Sequence, residues 1–365
     1  VEWAVEMARF DEEKSVDLLA ASGTIDASLA IAIADAISRS HDNAPRTDGA
    51  SWLASIPTLM DRNTAKFRAV RSVDAAAVDR LDAASRDFLG RHRDLLKQRA
   101  AQGFVRRCHG DLHLANIALV DGRPSLFDAI EFDPVISTTD ILYDLAFTLM
   151  DLIHFNQRAA ANAVFNRYLA QASAENIDGL SLLPLFLSLR AAIRAHVLFT
   201  KSEQAKDGET AQREAIRYFD LAARLIMPKP PTLVAIGGLS GTGKSVLARA
   251  LAGLIEPPPG ALIVRSDAVR KNLFGVAETT ALPEAALYFY GAGGLIFYMM
   301  GDDLVTTDEL FAAGATFTLI AWGFAYLYLV CNAWCPEAFA GGLHPEEPRT
   351  FIEMLFFSFT NLSAT

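Results

Sequence analysis

Residues 232–252 read TLVAIGGLSGTGKSVLARALA, an apolar run that is interrupted by a glycine-rich turn and then continues with helical periodicity. This order predicts a strand, a loop and a helix. From Gly238 to Ser245 the stretch fits the pattern G-x-x-x-x-G-K-[ST]. Glycines allow backbone N–H groups to surround a phosphate, and the N-terminal end of the helix presents its positive dipole to the same anion. The stretch therefore predicts a triphosphate-binding loop, and a chance glycine-rich turn is the alternative.

The predicted cofactors of this loop are ATP and Mg²⁺. The Lys244 ammonium is expected to reach the β- and γ-phosphates, and the Ser245 hydroxyl is expected to ligate Mg²⁺. The residues expected to contact the nucleotide are Gly238, Leu239, Ser240, Gly241, Thr242, Gly243, Lys244 and Ser245.

A second β-prone run follows at residues 261–265 and ends in Ser266 and Asp267. Strand, loop, helix and strand predict a parallel doubly wound unit, which binds ligands at the carboxyl ends of its strands. The pattern S-D-x-x-R resembles small-molecule and polynucleotide-type P-loop kinases, and the P-loop part as a whole resembles AAA-type ATPases. The resemblance implies that Asp267 activates the acceptor hydroxyl and that Arg270 contacts the acceptor or its phosphate. An N-cap role for Asp267 is the alternative.

Composition limits the possible partners. The net charge of −10 argues against a nucleic-acid-binding surface and leaves a small-molecule substrate open. Three cysteines give no disulfide framework, so a reducing compartment is expected. The hydrophobic content of 52% is high for a soluble chain. The chain begins with Val1 and ends with no helix or strand stop signal, so both ends are expected to be cut.

Residues 108–134, CHGDLHLANIALVDGRPSLFDAIEFDP, form a second chemical cluster. Two β-prone segments at residues 117–120 and 125–127 flank a D-G-R-P turn, which predicts a hairpin. Asp111 and Asn116 precede the first segment, and Asp128 ends the second. These three side chains are therefore expected at one end of a small sheet, where a carboxylate and two oxygen ligands for Mg²⁺ suit phosphoryl transfer.

The pattern H-G-D-x-x-x-x-N, with an Asp a dozen residues later, resembles the catalytic loop of aminoglycoside phosphotransferase-like kinases. The resemblance implies that Asp111 is the catalytic base and that Asn116 and Asp128 hold Mg²⁺. His109 and Asp144 are expected to hold the loop backbone. Only residues 1–10 precede the first helical pattern, so most of the family's N-terminal lobe is expected to be missing and residues 1–225 are expected to hold ATP poorly.

Helices are predicted at residues 17–40 and 75–102, separated by a loop around residues 44–52, and again within residues 141–227. Arg190, Arg194 and His196 are expected to form a solvated face on one of the later helices, and contact with a substrate is the alternative. The prolines of residues 227–231 predict an extended linker.

The excess apolar sequence lies in the tail. Residues 310–331 contain no charge over the length of a bilayer and predict a transmembrane helix, with a buried soluble helix as the alternative. Residues 285–301 are also uncharged but short and glycine-containing, and residues 350–362 predict a short amphipathic helix. The order of these segments resembles two-helix bacterial ion channels, cut before the filter. A join between two unrelated coding segments is expected near residues 282–288.

The predicted fold class is an α+β, mostly helical kinase-like C-lobe, then a partial α/β P-loop unit and an apolar helical tail. The predicted domains are residues 1–226, the linker 227–231, residues 232–284 and residues 285–365. The predicted function is ATP- and Mg²⁺-dependent phosphoryl transfer to a small-molecule hydroxyl. A membrane channel fragment and an inactive chimera are the alternatives. The kinase-like parts are expected in the cytoplasm, with membrane attachment if the tail is native.

Overall fold

The computed structural model describes residues 14–170, 172–204, 208–237, 242–264, 282–300, 307–334 and 351–363. The β-prone run at residues 1–10 lies outside them. The chain divides into two compact units, Val1–Ile263 and Val264–Thr365. The domain boundaries drawn from the sequence stay predictions.

The described part of the first unit is mostly helical, in agreement with the predicted mostly helical kinase-like lobe. Its helices are α1 (Val16–Ser22), α2 (Ala27–Asn43), α3 (Ala50–Ala69), α4 (Ala75–Arg91), α5 (Arg93–Ala101), α6 (Pro134–Ser137), α7 (Ile141–His154), α8 (Arg158–Leu169), α9 (Ala174–Asp178), α10 (Leu183–Gln204), α11 (Glu209–Leu225) and α12 (Lys244–Ala252).

Two antiparallel pairs of strands accompany these helices in the described residues. Strand β1 (Val105–Arg107) pairs with β4 (Thr138–Asp140), and β2 (Ile117–Val120) pairs with β3 (Arg123–Leu126). Asp121 and Gly122 join β2 to β3 with φ of 49° and 75°. Positive φ at both central residues is typical of the tight turn that matches strand twist. The predicted hairpin is confirmed, although β3 starts two residues earlier than expected.

Helices α7 and α10 form the centre of the core. Nearly every residue of α7 is buried, including Leu145, Phe147 and Leu149. The Asp140 side chain accepts a hydrogen bond of 2.8 Å from the backbone N–H of Leu142 and so caps the N-terminus of α7. The end of β4 therefore fixes where this buried helix begins.

Helix boundaries differ from prediction where the chain changes direction. The predicted helix at residues 17–40 is two helices, because Gly23 ends α1 in the left-handed region at φ 75° and Asp26 caps α2. The predicted helix at residues 75–102 is interrupted at His92. Helix α3 begins at Ala50, inside the predicted loop.

The predicted P-loop unit is only partly formed in the described residues. Helix α12 begins at Lys244, as expected. Residues 231–237 and 261–264 are not in strands, and the Leu233 side chain is 96% exposed. The backbone around Ala261 instead bonds to side chains of α8: Asn162 and Asn166 donate to its carbonyl oxygen at 3.0 and 3.1 Å. The predicted doubly wound sheet is therefore wrong for these segments, because their backbone groups pair with a helix or remain exposed.

In the described part of the second unit, three helices pack together: α13 (Leu282–Met299), α14 (Thr307–Trp334) and α15 (Phe351–Ser363). The Ser358 hydroxyl donates to the carbonyl oxygen of Ala321 at 2.7 Å. A Cβ on Gly323 would approach the Phe289 ring to about 3.0 Å, so glycine permits close contact between α13 and α14.

Among the described helices, two are long and apolar enough to cross a membrane, at Glu175–Gln204 and Phe311–Asn332. The first segment, which includes most of α9 and all of α10, is mostly buried in the core. Only 28% of the apolar part of the second segment is buried. Length and composition alone make this weak support for a membrane tail. The predicted transmembrane segment coincides with the second helix.

Candidate active site

The loop between β1 and β2 carries the predicted base, Asp111. Gly110 has φ of 83°, a conformation that turns the chain sharply and favours glycine. A short 3-10 turn, Leu114–Asn116, then leads into β2. The Asn116 side-chain nitrogen donates to the Asp111 backbone oxygen at 2.9 Å and to its carboxylate at 3.3 Å. Asp111 and Asn116 are therefore brought together as predicted.

Two buried charged side chains hold this loop from the core. Asp144 accepts hydrogen bonds from the backbone N–H of Gly110 at 3.0 Å and of His109 at 3.3 Å, which confirms its expected role. Arg190 donates to the Gly110 carbonyl oxygen at 3.0 Å and lies 3.4 Å from Asp144. Both the N–H and the carbonyl oxygen of Gly110, the residue before Asp111, are therefore held by buried side chains.

The prediction that Arg190 belongs to a solvated face is wrong, because only 4% of this side chain is exposed. Its guanidinium lies over the rings of Tyr143 and Phe147, at 3.8 and 4.6 Å from their centroids. Arg194 and His196 are half-buried. Tyr143 and Phe147 lie one helical turn apart on α7, and this spacing of two aromatic rings was a sequence signal for a buried cation.

His41 was not predicted to take part in the site. Its ring lies between Asp144, at 3.2 Å, and the Tyr168 hydroxyl, at 2.8 Å. Burial raises the pKa of Asp144, but the hydrogen bond from His41 and the charges of His41 and Arg190 outweigh burial and lower it. Asp144 therefore stays ionised as it holds the loop. Residue 41 is far from the motif in sequence, so no local pattern could have identified it.

Asp128 lies beside the same loop. The Phe127 N–H donates to the Asn116 carbonyl oxygen at 3.1 Å, and the Ile130 N–H donates to the His109 carbonyl oxygen at 3.0 Å. These bonds place the backbone of Asp128 along the loop, with φ of 59° and an exposed side chain. The His109 ring bonds to the Phe127 carbonyl oxygen at 2.8 Å, which confirms that it holds the backbone.

Asn116 and Asp128 each offer an oxygen atom of the kind that binds magnesium, and their role as ligands stays a prediction. The amide nitrogen of Asn116 is engaged by Asp111, which leaves its oxygen as a candidate ligand. Asp128 supplies an exposed carboxylate. Such oxygen ligands, completed by water and phosphate, are those that Mg²⁺ prefers.

A second group of possible ligand atoms, on His41, Cys108 and Asp144, is fully buried. Asp144 and His41 are already engaged in the hydrogen bonds above. Burial and the nearby Asp144 charge raise the pKa of the Cys108 thiol well above its usual range, so the thiolate needed for a metal is disfavoured. This group is best explained as support for the loop.

The charge state of Asp111 suits a base. Burial raises the pKa of this carboxyl, but the hydrogen bond and charge of His113, 3.4 Å away, together with Arg190 and Arg194, outweigh burial and lower it. The carboxylate is therefore ionised at neutral pH and can accept a proton from a hydroxyl group.

Replacing His113 by Phe is expected to move the acid side of the pH profile of activity to higher pH. The change removes the largest of the contributions that lower the Asp111 pKa, so that only the charges of Arg190 and Arg194 remain to oppose burial, which raises it. Protonated Asp111 cannot act as a base, so activity is lost at a higher pH than in the wild type. The rate of phosphoryl transfer as a function of pH tests this, with His92→Phe as the control. An unshifted acid side would show that His113 does not tune Asp111.

A cavity of about 570 Å³ opens at Asp111. It lies between α3, α7 and α10 and is closed on another side by residues near β4. Its size falls in the range of small-molecule sites. A hydroxyl compound bound here would have Asp111 in the wall of its site.

The remaining predicted site residues belong to the P-loop motif and the segment after it, and none of them lines the cavity at Asp111 in the described part of the chain. Gly238, Leu239, Ser240, Gly241, Asp267 and Arg270 lie outside the described residues. Thr242, Gly243, Lys244 and Ser245 are described: Gly243 has φ of 83° and immediately precedes α12. Their contact with a nucleotide stays a prediction.

Comparison with known proteins agrees with the first of the two motifs. Residues 3–182 match the model of the Phosphotransferase enzyme family, which supports an aminoglycoside phosphotransferase-like kinase domain in this part of the chain. The matched residues include Asp111, Asn116, Asp128 and Asp144. The match does not extend to the P-loop motif or the tail.

Uncharacterized proteins of Mycobacterium bovis and of two strains of Mycobacterium tuberculosis are 28% identical to the chain over 285 residues. The alignment covers 76% of this chain and 55% of each relative, so the chain spans about half the length of the curated relatives it matches. No solved structure matches the chain with significant similarity.

Proposed function

We propose that the chain transfers a phosphoryl group from Mg²⁺-ATP to a hydroxyl group of a small molecule bound beside Asp111. The observation that carries the proposal is the position of the ionised Asp111 carboxylate, in the wall of a 570 Å³ cavity and on a loop held by Asp144 and Arg190. Phosphotransferases of the matched family generally use ATP and Mg²⁺.

The proposed chemistry divides the work between three residues. Asp111 orients the acceptor hydroxyl and accepts its proton as the oxygen attacks the terminal phosphorus. Asn116 and Asp128 would hold Mg²⁺, which neutralises charge on the phosphate oxygens. The test is phosphoryl transfer from γ-labelled ATP to pooled hydroxyl compounds, with the labelled product identified by mass spectrometry. Absence of transfer to any acceptor, and to water, would contradict the proposal.

A second proposal concerns the P-loop motif: residues 238–245 bind the triphosphate of a nucleotide, with Asp267 and Arg270 on the acceptor side. It is favoured by the start of α12 at Lys244, directly after the left-handed Gly243. This is the backbone arrangement that the motif requires at the end of its loop.

The variant Lys244→Ala is expected to weaken binding of a fluorescent ATP analogue about tenfold to a hundredfold, because it removes a charge-assisted contact to the phosphates. Lys229→Ala, an exposed lysine in the linker, is the matched control and should bind as the wild type does. Equal affinities of the two variants would contradict nucleotide binding by this loop.

The channel alternative for the tail stays a proposal of lower support. Its predicted spanning segment is the uncharged part of α14, and its predicted pore helix corresponds to α15. The favouring observation is the low burial of α14, which leaves apolar side chains such as Phe311 exposed. Partition of the chain into vesicles would support membrane attachment, and full recovery in the aqueous phase would contradict it.

A further inference from the structure

The cavity beside Asp111 contains buried polar atoms for which the described residues offer no partner. The indole nitrogen of Trp52, the side-chain nitrogen of Asn63 and the hydroxyl of Thr139 are all buried, and none has a hydrogen-bond partner among the described residues. The three side chains are 3%, 5% and 3% exposed, and all three line the cavity. Buried polar groups are normally paired, since leaving one without a hydrogen bond lowers stability.

The unpaired atoms have a common chemistry. The Trp52 and Asn63 nitrogens can only donate, and the Thr139 hydroxyl can donate or accept. Asn63 uses its oxygen for the His196 ring, at 3.2 Å, so its nitrogen is the atom left over. A ligand that satisfies this set carries oxygen acceptors such as hydroxyl, carbonyl or carboxylate groups.

The charges around the cavity are unsuited to a polycation. Among its described lining residues, Asp111 is the only carboxylate, whereas Arg62 and Arg190 are cationic. Arg190 is engaged by the loop and by Asp144, and Arg62 is exposed without an ion pair in the described part of the chain. An aminosugar with several ammonium groups would meet one carboxylate, that of Asp111, and the exposed guanidinium of Arg62.

Much of the remaining wall is apolar, although Ser51, Ser55, Thr58 and His196 also line it. Tyr143, Phe147, Ile193 and Val197 line it from α7 and α10, and their aromatic and aliphatic surfaces gain free energy by covering a similarly apolar body.

We infer that the acceptor is a compound with an apolar body, oxygen hydrogen-bond acceptors and a neutral or negative charge, and that a polycationic aminoglycoside is not the acceptor. The inference deepens the proposed function, on which it rests for the transfer step. The reaction joins the acceptor oxygen to phosphorus, breaks the bond from the terminal phosphorus to the bridging oxygen of ATP, and sends the hydroxyl proton to Asp111. The products are a phosphate monoester and ADP.

The experiment measures binding by calorimetry, without ATP, to the full chain and to its Asp111→Asn variant. Three probes share one ten-carbon body and a terminal hydroxyl: hydroxydecanoate, decanediol and aminodecanol, and kanamycin is the polycation. The anionic and neutral probes are expected to bind more tightly than aminodecanol, and kanamycin is expected to bind most weakly. Tightest binding by kanamycin, or no binding by the anionic and neutral probes, would overturn the inference.

Two conservative variants test recognition by the unpaired groups. Trp52→Phe and Thr139→Val remove a donor while they keep most of the apolar contact, and each is expected to weaken binding of hydroxydecanoate about two- to tenfold. Trp322→Phe and Thr200→Val, outside the cavity lining, are the matched controls and should leave binding unchanged. Thermal unfolding confirms that each variant is folded. Unchanged affinity in both folded cavity variants would contradict recognition by these groups.

Transfer of labelled phosphate to each probe is measured separately from binding. Binding of the anionic and neutral probes in the expected order, with no labelled phosphate on any probe, would count against the proposed function and leave the recognition result in place. Preferred transfer to kanamycin would overturn the inference and leave the proposed function in place.

Discussion

The variant Asp111→Asn is expected to lower the rate of phosphoryl transfer about 10²- to 10⁴-fold, the usual contribution of a positioned general base. Asn has nearly the shape of Asp but cannot accept the proton of the acceptor hydroxyl. The loop should keep its conformation, because Asp144 and Arg190 hold the backbone at Gly110 and Asn116 bonds to the backbone oxygen of residue 111. The measurement is the steady-state rate with labelled ATP and the best acceptor.

The control is the same change, Asp to Asn, at Asp121 in the turn between β2 and β3. Asp121 is exposed and has φ of 49°, a region that Asn adopts readily, so Asp121→Asn should retain wild-type stability and activity. Thermal unfolding of both variants separates loss of chemistry from loss of fold. If Asp111→Asn retained activity within a few-fold of the control, Asp111 would not be the base.

The variant Arg99→Ala is expected to lower the free energy of unfolding by about 3–5 kcal/mol, since it leaves a buried carboxylate without its counter-ion. Arg99 is 0% exposed and Asp140 is 1% exposed, and the guanidinium bonds to both carboxylate oxygens at 2.7 and 2.8 Å. Arg99 also donates to the Asn176 side chain at 3.0 Å and so joins α5, β4 and α9. Urea unfolding followed by near-ultraviolet circular dichroism measures the effect.

The control for this loss is an arginine in an exposed pair. Arg91→Ala removes a contact with Asp87, four residues earlier on α4, between side chains that are 62% and 67% exposed. Exposed pairs of this kind contribute about 0.3–0.5 kcal/mol, so the control should unfold almost as the wild type does. A double variant, Arg99→Met with Asp140→Asn, should recover part of the loss, because no buried charge is then left alone. Similar losses in Arg99→Ala and Arg91→Ala would contradict the prediction.

The loop that carries the proposed base could be identified from the sequence because its residues lie close together along the chain. Asp111, Asn116 and Asp128 lie within 18 residues of one another, on either side of a hairpin whose D-G turn is easily recognised. Hydrogen bonds between neighbouring segments then place the three together. The main helices of the first unit were likewise predicted from apolar periodicity, although their breaks at Gly23 and His92 were not.

The two strands expected around the P-loop show the limit of local patterns. An apolar run predicts a strand only if another segment supplies hydrogen bonds along its edge. In the described residues the second run bonds to Asn162 and Asn166 of α8, and the first includes the almost fully exposed Leu233. Whether a β-prone run finds a strand to pair with depends on how the rest of the chain folds, so the sequence of the run alone cannot predict it.

By itself, the sequence determined the helical character of the first unit, the hairpin and the residues of the loop that carries Asp111, since each follows from spacing along a short segment. Only the tertiary structure decided that Arg190 is buried, that His41 supports Asp144, and that Trp52, Asn63 and Thr139 line a cavity at Asp111. These contacts join segments up to 133 residues apart. Which side chains meet across such distances depends on how all the helices pack. Each such contact closes a long loop and so lowers the conformational entropy of the chain, and only burial of the complete core offsets this loss.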